Sequence, residues 1–315
     1  MKAIIIGHSG QDGTYLSSLL LNKGYEVTGF SGSSVSENKY GISKIDVKQY
    51  SQVENTIRKI LPDEVYFLAA VHQSSADVQM EDGELFQKSF DLNVKAFINF
   101  LEAIRLHLPK TKIFYAASSH VFGNPEKYPQ DESTLLNPNC IYGITKTAGM
   151  RTSYYYRENH NVFASVGIFY NHESPLRESK YVSKKIVETA VSIKFEKKNE
   201  LILGNLESEI DLGYAPDYMR AVHAMMQLSK PDDFIISSGE RHMIKNFVEG
   251  VFDCLSLDWR KFVKTNPLLI TKKQKRNLFG DNRKIKIATG WFPSVSFEGL
   301  IKILVDAEMQ KHDAK

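Results

Sequence analysis

Three features are scarce in this sequence of 315 residues, and each absence narrows the kind of protein it can be. It has only two cysteines, Cys140 and Cys254, with neither a disulfide framework nor metal-ligand spacing, so we expect no metal site. No apolar run approaches the roughly 20 residues that span a bilayer, and Lys2 leads directly into a strand-like run rather than a signal peptide. We therefore expect a cytoplasmic protein without a membrane partner.

A strong charge of either sign is also lacking. The 40 basic and 37 acidic side chains leave a formal net charge of +3, which argues against nucleic acid as the main partner. One dense basic run contains Lys272, Lys273, Lys275 and Arg276. It could hold a phosphate, although a run this short more often forms a solvated face.

Short apolar runs and helical patterns alternate through the first half of the chain. Runs over 3–7, 26–30, 64–69 and 112–116 predict strands, and 14–23, 50–60 and 91–107 predict helices. Because parallel strands need a crossover between them, this alternation predicts an α/β fold with a doubly wound parallel (Rossmann) sheet. We expect a dinucleotide-binding domain over 1–170, with a return around 211–252 that includes "DFIISSG". Residues 171–315 then form mainly a smaller, discontinuous substrate-binding region.

Three glycines separate the first predicted strand from the first helix. Gly7, Gly10 and Gly13 have the spacing G-x-x-G-x-x-G. Glycine permits the tight turn and a close approach of backbone to a pyrophosphate, and the helix N-terminus attracts phosphate charge. The context therefore predicts a nicotinamide dinucleotide site.

The end of the second strand decides between NAD and NADP in such sites. An acidic residue there binds the ribose 2′-hydroxyl, and an arginine accepts a 2′-phosphate. This chain has "GFSGSSVS", with neither charge. Ser31, Ser33 and Ser34 could bond a phosphate, so both cofactors stay open.

A Ser, Tyr and Lys constellation follows in "FYAASSH" and "IYGITK". Tyr142 and Lys146 are four residues apart and share one face of a helix, while Ser118 follows a strand at the ligand-binding edge of the sheet. A tyrosine acts as a base only if its pKa of about 10 is lowered, which an adjacent ammonium and a nicotinamide ribose can do. The combination predicts hydride-transfer chemistry on a hydroxyl.

With these motifs the chain resembles the extended short-chain dehydrogenases/reductases, and within them the GDP-mannose 4,6-dehydratase family. The matching stretches run from end to end and include "GHSGQDGTYL", "LPDEVYFLAA", "FYNHESP", "GNLES", "DLGYAPDYM" and "GWFPSVSFEGL". The resemblance implies a tightly held NADP and a GDP-linked nucleotide-sugar substrate. It also implies oxidation at C4, loss of water across C5 and C6, and an assembly as a homodimer or homotetramer.

The motifs and the resemblance together assign expected roles to individual residues. Those expected at the cofactor are Gly7, Gly10, Gln11, Asp12, Gly13, Ser31, Asp46 (at the adenine), Ala69, Ala70, Tyr142 and Lys146. Those expected at the substrate are Ser119, Asn171, His172, Lys185 and Gly204. The catalytic group is expected to be Ser118, His120, Tyr142 and Lys146.

The chain departs from the family pattern in four places. His120 stands where the family has its acid/base glutamate, and Ile210 and Thr271 stand where it has substrate-binding arginines. The arginines that favour NADP are replaced by the region 32–34.

The histidine decides between several functions. A neutral imidazole with a pKa near 6.5 can take a proton and return it, so His120 could replace the glutamate. If it only forms hydrogen bonds, the enzyme would stop at hydride transfer, as a 4-keto-sugar reductase or a 4-epimerase. A non-catalytic cofactor-binding scaffold is the remaining alternative.

Overall fold

The computed structural model describes residues 1–32, 34–35, 39–42, 44–73, 77–269 and 278–313. Its strands are β1 (Lys2–Ile6), β2 (Glu26–Ser31), β3 (Ser34–Val35), β4 (Glu64–Phe67), β5 (Lys112–Ser118), β6 (Ala164–Phe169), β7 (Asn171–Glu173), β8 (Leu201–Leu203), β9 (Glu209–Ile210), β10 (Leu212–Tyr214), β11 (Asp233–Ile236), β12 (His242–Met243) and β13 (Val263–Thr265). Its α-helices are α1 (Gln11–Asn22), α2 (Tyr50–Ile60), α3 (Asp82–Phe90), α4 (Phe97–His107), α5 (Ile141–His160), α6 (Val182–Lys194), α7 (Ala215–Met226), α8 (Ile244–Cys254), α9 (Arg283–Thr289) and α10 (Phe297–Asp313). A π-helix covers Asp91–Ala96, and 3₁₀ turns cover Ser119–Phe122, Trp259–Lys261 and Pro267–Leu269.

The central sheet of the described residues has the strand order β11-β6-β5-β4-β1-β2-β3. Neighbouring strands from β11 to β2 pair in parallel, and only β3 runs antiparallel to β2. This confirms the predicted doubly wound parallel sheet. The order reverses between the adjacent strands β1 and β4. Open α/β sheets bind their ligands at such a switch point.

Helices cover both faces of this sheet. Ile4 and Ile6 of β1 pack in one hydrophobic cluster with α2, α4 and α5, whereas Ala3 and Ile5 pack in another with α1 and α7. The division follows from the strand, in which successive side chains point to opposite faces. Both faces of the sheet are therefore shielded from solvent, as the near-continuous apolar run of β1 predicts.

A third hydrophobic cluster lies in the later part of the chain, where α6, α8 and α10 pack together. The strand predicted in "DFIISSG" is β11, at the edge of the central sheet. Within the predicted return, α7 packs on the sheet, but α8 belongs to the third cluster. The division at 170 and at 211–252 stays a prediction.

The helix predicted over 91–107 begins earlier and contains a wider turn. It is continuous with α3, and residues Asp91–Ala96 form the π-helix before α4. Asn93 lies in this π-turn and is fully buried. Such turns occur often at functional sites, and the periodicity of the sequence does not reveal them. No helix in the described ranges is both long and apolar enough to cross a bilayer.

Candidate active site

A cavity of about 990 Å³ opens at the carboxyl edge of the sheet. Its walls come from the glycine turn after β1, from the segments that follow β4 and β5, and from α5. Parts of the chain between 169 and 183 and between 205 and 212 close the opposite side. A smaller pocket of about 190 Å³ lies against the same glycine turn. Both cavities lie where a doubly wound sheet binds nucleotides.

The three glycines of the turn serve different purposes. Gly7 has a φ of +93°, and a Cβ there would lie 2.9 Å from the backbone nitrogen of Ala69. A Cβ on Gly13 would lie 2.3 Å from the carbonyl oxygen of Gly7, so α1 packs against the turn only without a side chain there. For Gly10 the nearest such atom is 3.4 Å away, and the residue lines both cavities. Its missing side chain therefore leaves room for a ligand.

The first turn of α1 is tied to the later chain by a partly buried pair. Nε2 of His172 lies 3.0 Å from a carboxylate oxygen of Asp12, and Ser174 Oγ donates to Gln11 Oε1 at 2.7 Å. Burial alone would raise the pKa of Asp12, but the charge and hydrogen bond of His172 outweigh it and hold that pKa below its usual value. Burial would likewise lower the pKa of His172, and the Asp12 carboxylate outweighs it and raises that pKa. Both shifts favour the charged pair.

Ser118, Tyr142 and Lys146 converge on the larger cavity from β5 and α5. Lys146 is buried, and its Nζ donates to the carbonyl oxygen of Ala116 at 2.7 Å. The same Nζ lies 5.6 Å from the centre of the Tyr142 ring. The predicted constellation is therefore assembled at one site.

The protonation of this constellation is set mainly by burial. Burial lowers the pKa of Lys146 to about 7. Burial also raises the pKa of Tyr142, and the nearby Tyr181 and Asp12 raise it further. The protein's own groups therefore do not lower the tyrosine pKa, contrary to the expectation for the neighbouring ammonium, because desolvation dominates both groups.

His120 lies in the 3₁₀ turn that follows β5, and its side chain lines the larger cavity. Its ring centre is 5.7 Å from that of Tyr142, with the rings nearly perpendicular. Nδ1 of His120 lies 3.5 Å from the sulfur of Cys140, and its backbone nitrogen donates to Ser118 Oγ at 3.4 Å. The turn thus places an imidazole beside the tyrosine.

The cavity contains a second histidine that the sequence analysis did not identify as a site residue. His72 lines the same cavity after β4, and its ring centre lies 4.7 Å from that of Tyr142. It is 6.3 Å from the ring of His120. The signal was available, since His72 follows a strand at the same edge of the sheet as Ser118.

Arg177 was missed as well. It lines both cavities opposite the glycine turn. Its guanidinium lies 3.6 Å from the centre of the Tyr181 ring, and its Nε is 3.1 Å from a carboxylate oxygen of Glu173. A cation here suits the negative charge of a dinucleotide.

Comparison with known proteins supports the family resemblance that the sequence motifs indicate. A family model described as GDP-mannose 4,6 dehydratase matches residues 4–304.

The chain belongs to the GDP-mannose 4,6-dehydratase family.

Relatives of this family and solved structures agree with the fold. The chain is 34% identical over 329 residues to GDP-mannose 4,6 dehydratase 2 of Arabidopsis thaliana, covering 98% of this chain and 87% of the relative. Its fold is similar to RMD from Pseudomonas aeruginosa complexed with NADPH, with a TM-score of 0.81, 17% identity and coverage of 98% and 99% of the two chains. It is also similar to dTDP-glucose 4,6-dehydratase from Bacillus anthracis in complex with NAD, with a TM-score of 0.83, 18% identity and coverage of 99% and 98%. The predicted family resemblance is confirmed.

Several residues that the family resemblance implies do line the larger cavity. They are Gly7, Gly10, Asp12, Ser31, Ala69, Ala70, Ser118, His120, Tyr142, Lys146, Asn171 and His172. Gln11 and Gly13 line the smaller pocket. The structure therefore brings most of the expected cofactor and catalytic residues together.

Four other predicted residues do not line either described cavity. Ser119 is buried within the 3₁₀ turn, and Lys185 is exposed with its Nζ on the carbonyl oxygen of Ile202 at 2.9 Å. The carboxylate of Asp46 accepts from the backbone nitrogen of Lys48 at 3.0 Å, in its own loop. Gly204 does not contribute to the cavity wall, whereas the adjacent Asn205 does. A family alignment fixes a position in the chain but not the direction of its side chain.

The departures from the family pattern fall on both sides of the cavity. Ile210 lines it, so an apolar side chain stands where the family has an arginine. Gly32 lines it at the end of β2, but Ser33, Thr271 and the basic run 272–276 lie outside the described residues. The side chain of Ser34 is also outside the description.

Proposed function

We propose that this protein is a nucleotide-sugar 4,6-dehydratase that acts on a GDP-linked hexose, with His120 as the proton-transfer group. Family membership supports the reaction class. The observation on which the proposal depends is that the rings of His120 and Tyr142 lie 5.7 Å apart in one cavity. The histidine stands at the position where the family resemblance implies a glutamate.

The residues present fit a nicotinamide dinucleotide, NADP or NAD. Gly10 leaves space at the N-terminus of α1, and Arg177 adds a positive charge across from it. Lys146 would hold the nicotinamide ribose, as the resemblance implies. When bound, the cofactor supplies hydride chemistry, removing a hydride from C4 of the sugar and returning it to C6. The solved relatives named above contain NADPH or NAD, and Ser31 at the end of β2 selects neither.

Tyr142 and Ser118 act on the C4 hydroxyl in this proposal. The phenolate of Tyr142 takes the hydroxyl proton, and Ser118 Oγ bonds the same oxygen. Burial raises the pKa of Tyr142 in the protein alone. The phenolate therefore depends on further positive charge at the site, which an oxidised nicotinamide would add beside the Nζ of Lys146, 5.6 Å from the tyrosine ring.

His120 acts at C5. Once C4 is a ketone, the C5 proton is acidified, and the neutral imidazole of His120 can act as the base that removes it. Nδ1 of His120 faces Cys140, so transfer to the substrate falls to Nε2. The same nitrogen can return the proton to C5 after the hydride reaches C6.

The test is to incubate the protein with GDP-mannose and NADP in heavy water and to follow deuterium at C5 by NMR. We expect the wild type to incorporate deuterium at C5 and to form the 4-keto-6-deoxy sugar. A His120→Gln variant should still oxidise C4, seen by the absorbance of reduced cofactor, but lose C5 exchange by about 10²–10⁴-fold.

Other outcomes decide between the alternatives. Oxidation or reduction at C4 without C5 labelling in the wild type would replace the dehydratase by a 4-keto reductase or 4-epimerase. No reaction with any sugar nucleotide would favour the non-catalytic scaffold. Parallel titrations with NADP and NAD by calorimetry measure the cofactor preference.

Assembly and location belong to the same proposal. We infer a homodimer or homotetramer from the family resemblance and a cytoplasmic location from the sequence features described above. Light scattering of the purified protein measures the first, and fractionation of cells measures the second.

A further inference from the structure

His72 packs against the ring of Tyr142 in the same cavity as the predicted site. Its ring meets the tyrosine ring nearly edge-on at 4.7 Å and lies almost parallel to Tyr181 at 6.2 Å. The cavity that holds Ser118 and His120 also holds this ring. His72 therefore faces the space in which the sugar would react.

The π-helix fixes the segment that contains His72. Asn93 Oδ1 accepts from the backbone nitrogen of Val71 at 3.0 Å, and Asn93 Nδ2 donates to Thr145 Oγ1 at 3.0 Å. Thr145 Oγ1 in turn donates to the carbonyl oxygen of Tyr142 at 3.1 Å. A fully buried amide thus ties the residue before His72 to the helix of the catalytic tyrosine. This hydrogen-bond network fixes the position of the His72 backbone relative to Tyr142.

Loss of water from a 4-keto sugar needs two proton transfers at adjacent carbons. A base removes the proton at C5, and an acid protonates the hydroxyl that leaves C6, because hydroxide is a poor leaving group. His72 and His120 are 6.3 Å apart and both lie beside Tyr142. Two imidazoles can divide these tasks, one neutral and one protonated.

We propose that His72 is the general acid that protonates the leaving C6 hydroxyl while His120 removes the C5 proton; this inference rests on the proposed function. The C5–H bond breaks toward His120, and its electron pair moves onto the C4 ketone to give an enolate. The enolate then returns to the ketone with a C5–C6 double bond as the C6–O bond breaks and His72 gives up a proton. Water leaves, and His72 becomes neutral.

The proton of His72 is restored within the same cycle. Tyr142 takes a proton from the C4 hydroxyl during oxidation, and in this proposal it passes that proton to His72, the neighbouring imidazole whose ring centre lies 4.7 Å from that of the tyrosine. The proton of the C4 hydroxyl therefore ends in the water molecule, and His120 returns a proton that has exchanged with solvent to C5. No further acid or base is needed.

The test compares two leaving groups in two variants. His72→Gln and His72→Phe are each assayed with GDP-mannose and with its 6-deoxy-6-fluoro analogue, since fluoride leaves without protonation. We expect both variants to keep C5 deuterium exchange, to lose water elimination by about 10²–10⁴-fold, and to release fluoride within about tenfold of the wild type. His72→Phe keeps an aromatic ring against Tyr142, so its failure to eliminate water separates proton transfer from packing.

Two controls complete the design. Calorimetry of GDP-mannose binding should give similar affinities for the wild type and both variants. His223→Gln changes a histidine on α7, outside the described cavities, and should leave every rate unchanged.

The results that would overturn the role of His72 differ from those that would overturn the proposed function. Water elimination at the wild-type rate in either variant, equal losses for hydroxide and fluoride, or loss of C5 exchange would each overturn the role of His72. A wild type that never exchanges C5 would end the proposed function, and the role of His72 with it.

Discussion

The sulfur of Cys140 lies 3.5 Å from Nδ1 of His120. Cys140 is also the N-cap of α5, where its sulfur accepts from the backbone nitrogen of Gly143 at 3.5 Å. One side chain therefore supports both the helix of Tyr142 and the orientation of the imidazole. Because the contact occupies Nδ1, it directs Nε2 to proton transfer.

Substitution of this cysteine separates the two tasks. Cys140→Ala should slow C5 exchange about fivefold, which corresponds to a net hydrogen bond of about 1 kcal/mol, and lower the stability by a similar amount through the lost cap. Cys140→Ser can make both contacts and should keep both properties near wild type. NMR exchange rates and urea unfolding measure them, and oxidation at C4 is the internal control. Equal rates of C5 exchange in all three proteins would show that the sulfur does not orient His120.

The glycine turn allows a matched pair of substitutions. Gly13→Ala places a Cβ 2.3 Å from the Gly7 carbonyl oxygen and should destabilise the fold by several kcal/mol, about the cost of an overpacked site. Gly10→Val meets no such backbone atom, so the free energy of unfolding should change little while NADP affinity falls by at least about tenfold. Urea unfolding and calorimetry distinguish the two effects. Unchanged NADP affinity in Gly10→Val would show that the cofactor does not pass over Gly10.

Sequence reasoning succeeded where function depends on neighbours along the chain. Gly7, Gly10 and Gly13 stand on one strand–turn–helix unit, and Tyr142 and Lys146 stand on one helix face. Local patterns fix such groups, and a parallel sheet then fixes which strand ends meet.

Sequence reasoning failed where the position of a side chain depends on contacts between residues far apart in the chain. His72 reaches Tyr142 because Asn93, in a π-turn that leaves no trace in the periodicity, holds Val71. Arg177 reaches the glycine turn through a chain segment more than 160 residues away from it. For Lys185 the family resemblance gave the position, but the side chain bonds Ile202 instead of facing the cavity. Side-chain direction is a tertiary property.

Lys146 should make stability depend on pH. Burial lowers its pKa from 10.5 to about 7, so below pH 7 the folded protein holds the ammonium at the full cost of desolvation. Between pH 7 and 10.5 the unfolded chain binds a proton that the folded protein has released, so the stability rises with pH. Lys146→Met does not titrate. Its stability relative to wild type should therefore fall with a slope approaching about 1.4 kcal/mol per pH unit above pH 7.

Urea unfolding of both proteins at pH 6, 7.5 and 9 measures this difference. We expect the stability of Lys146→Met relative to wild type to be highest at pH 6. A gap that stays constant with pH would show that Lys146 is not desolvated.

The pair of Asp12 and His172 should show the opposite trend above neutral pH. The pKa of His172 is raised by Asp12, so its contribution to stability is complete below about pH 6.5 and is lost as the pH rises through the raised value. The pKa of Asp12 is lowered, so its contribution is complete above its usual value near 4 and is lost as the pH falls below that. A double-mutant cycle with Asp12→Asn and His172→Gln should therefore give a coupling energy on the order of 1–3 kcal/mol at pH 5.5 and a smaller one at pH 8.5. The exposed pair of Glu84 and Lys88 on α3 is the matched control and should couple by at most about 0.5 kcal/mol at both pH values. A coupling between Asp12 and His172 that is as small as in the control, or that grows toward pH 8.5, would mean that the imidazole is neutral in the folded protein and that the first turn of α1 is held by hydrogen bonds alone.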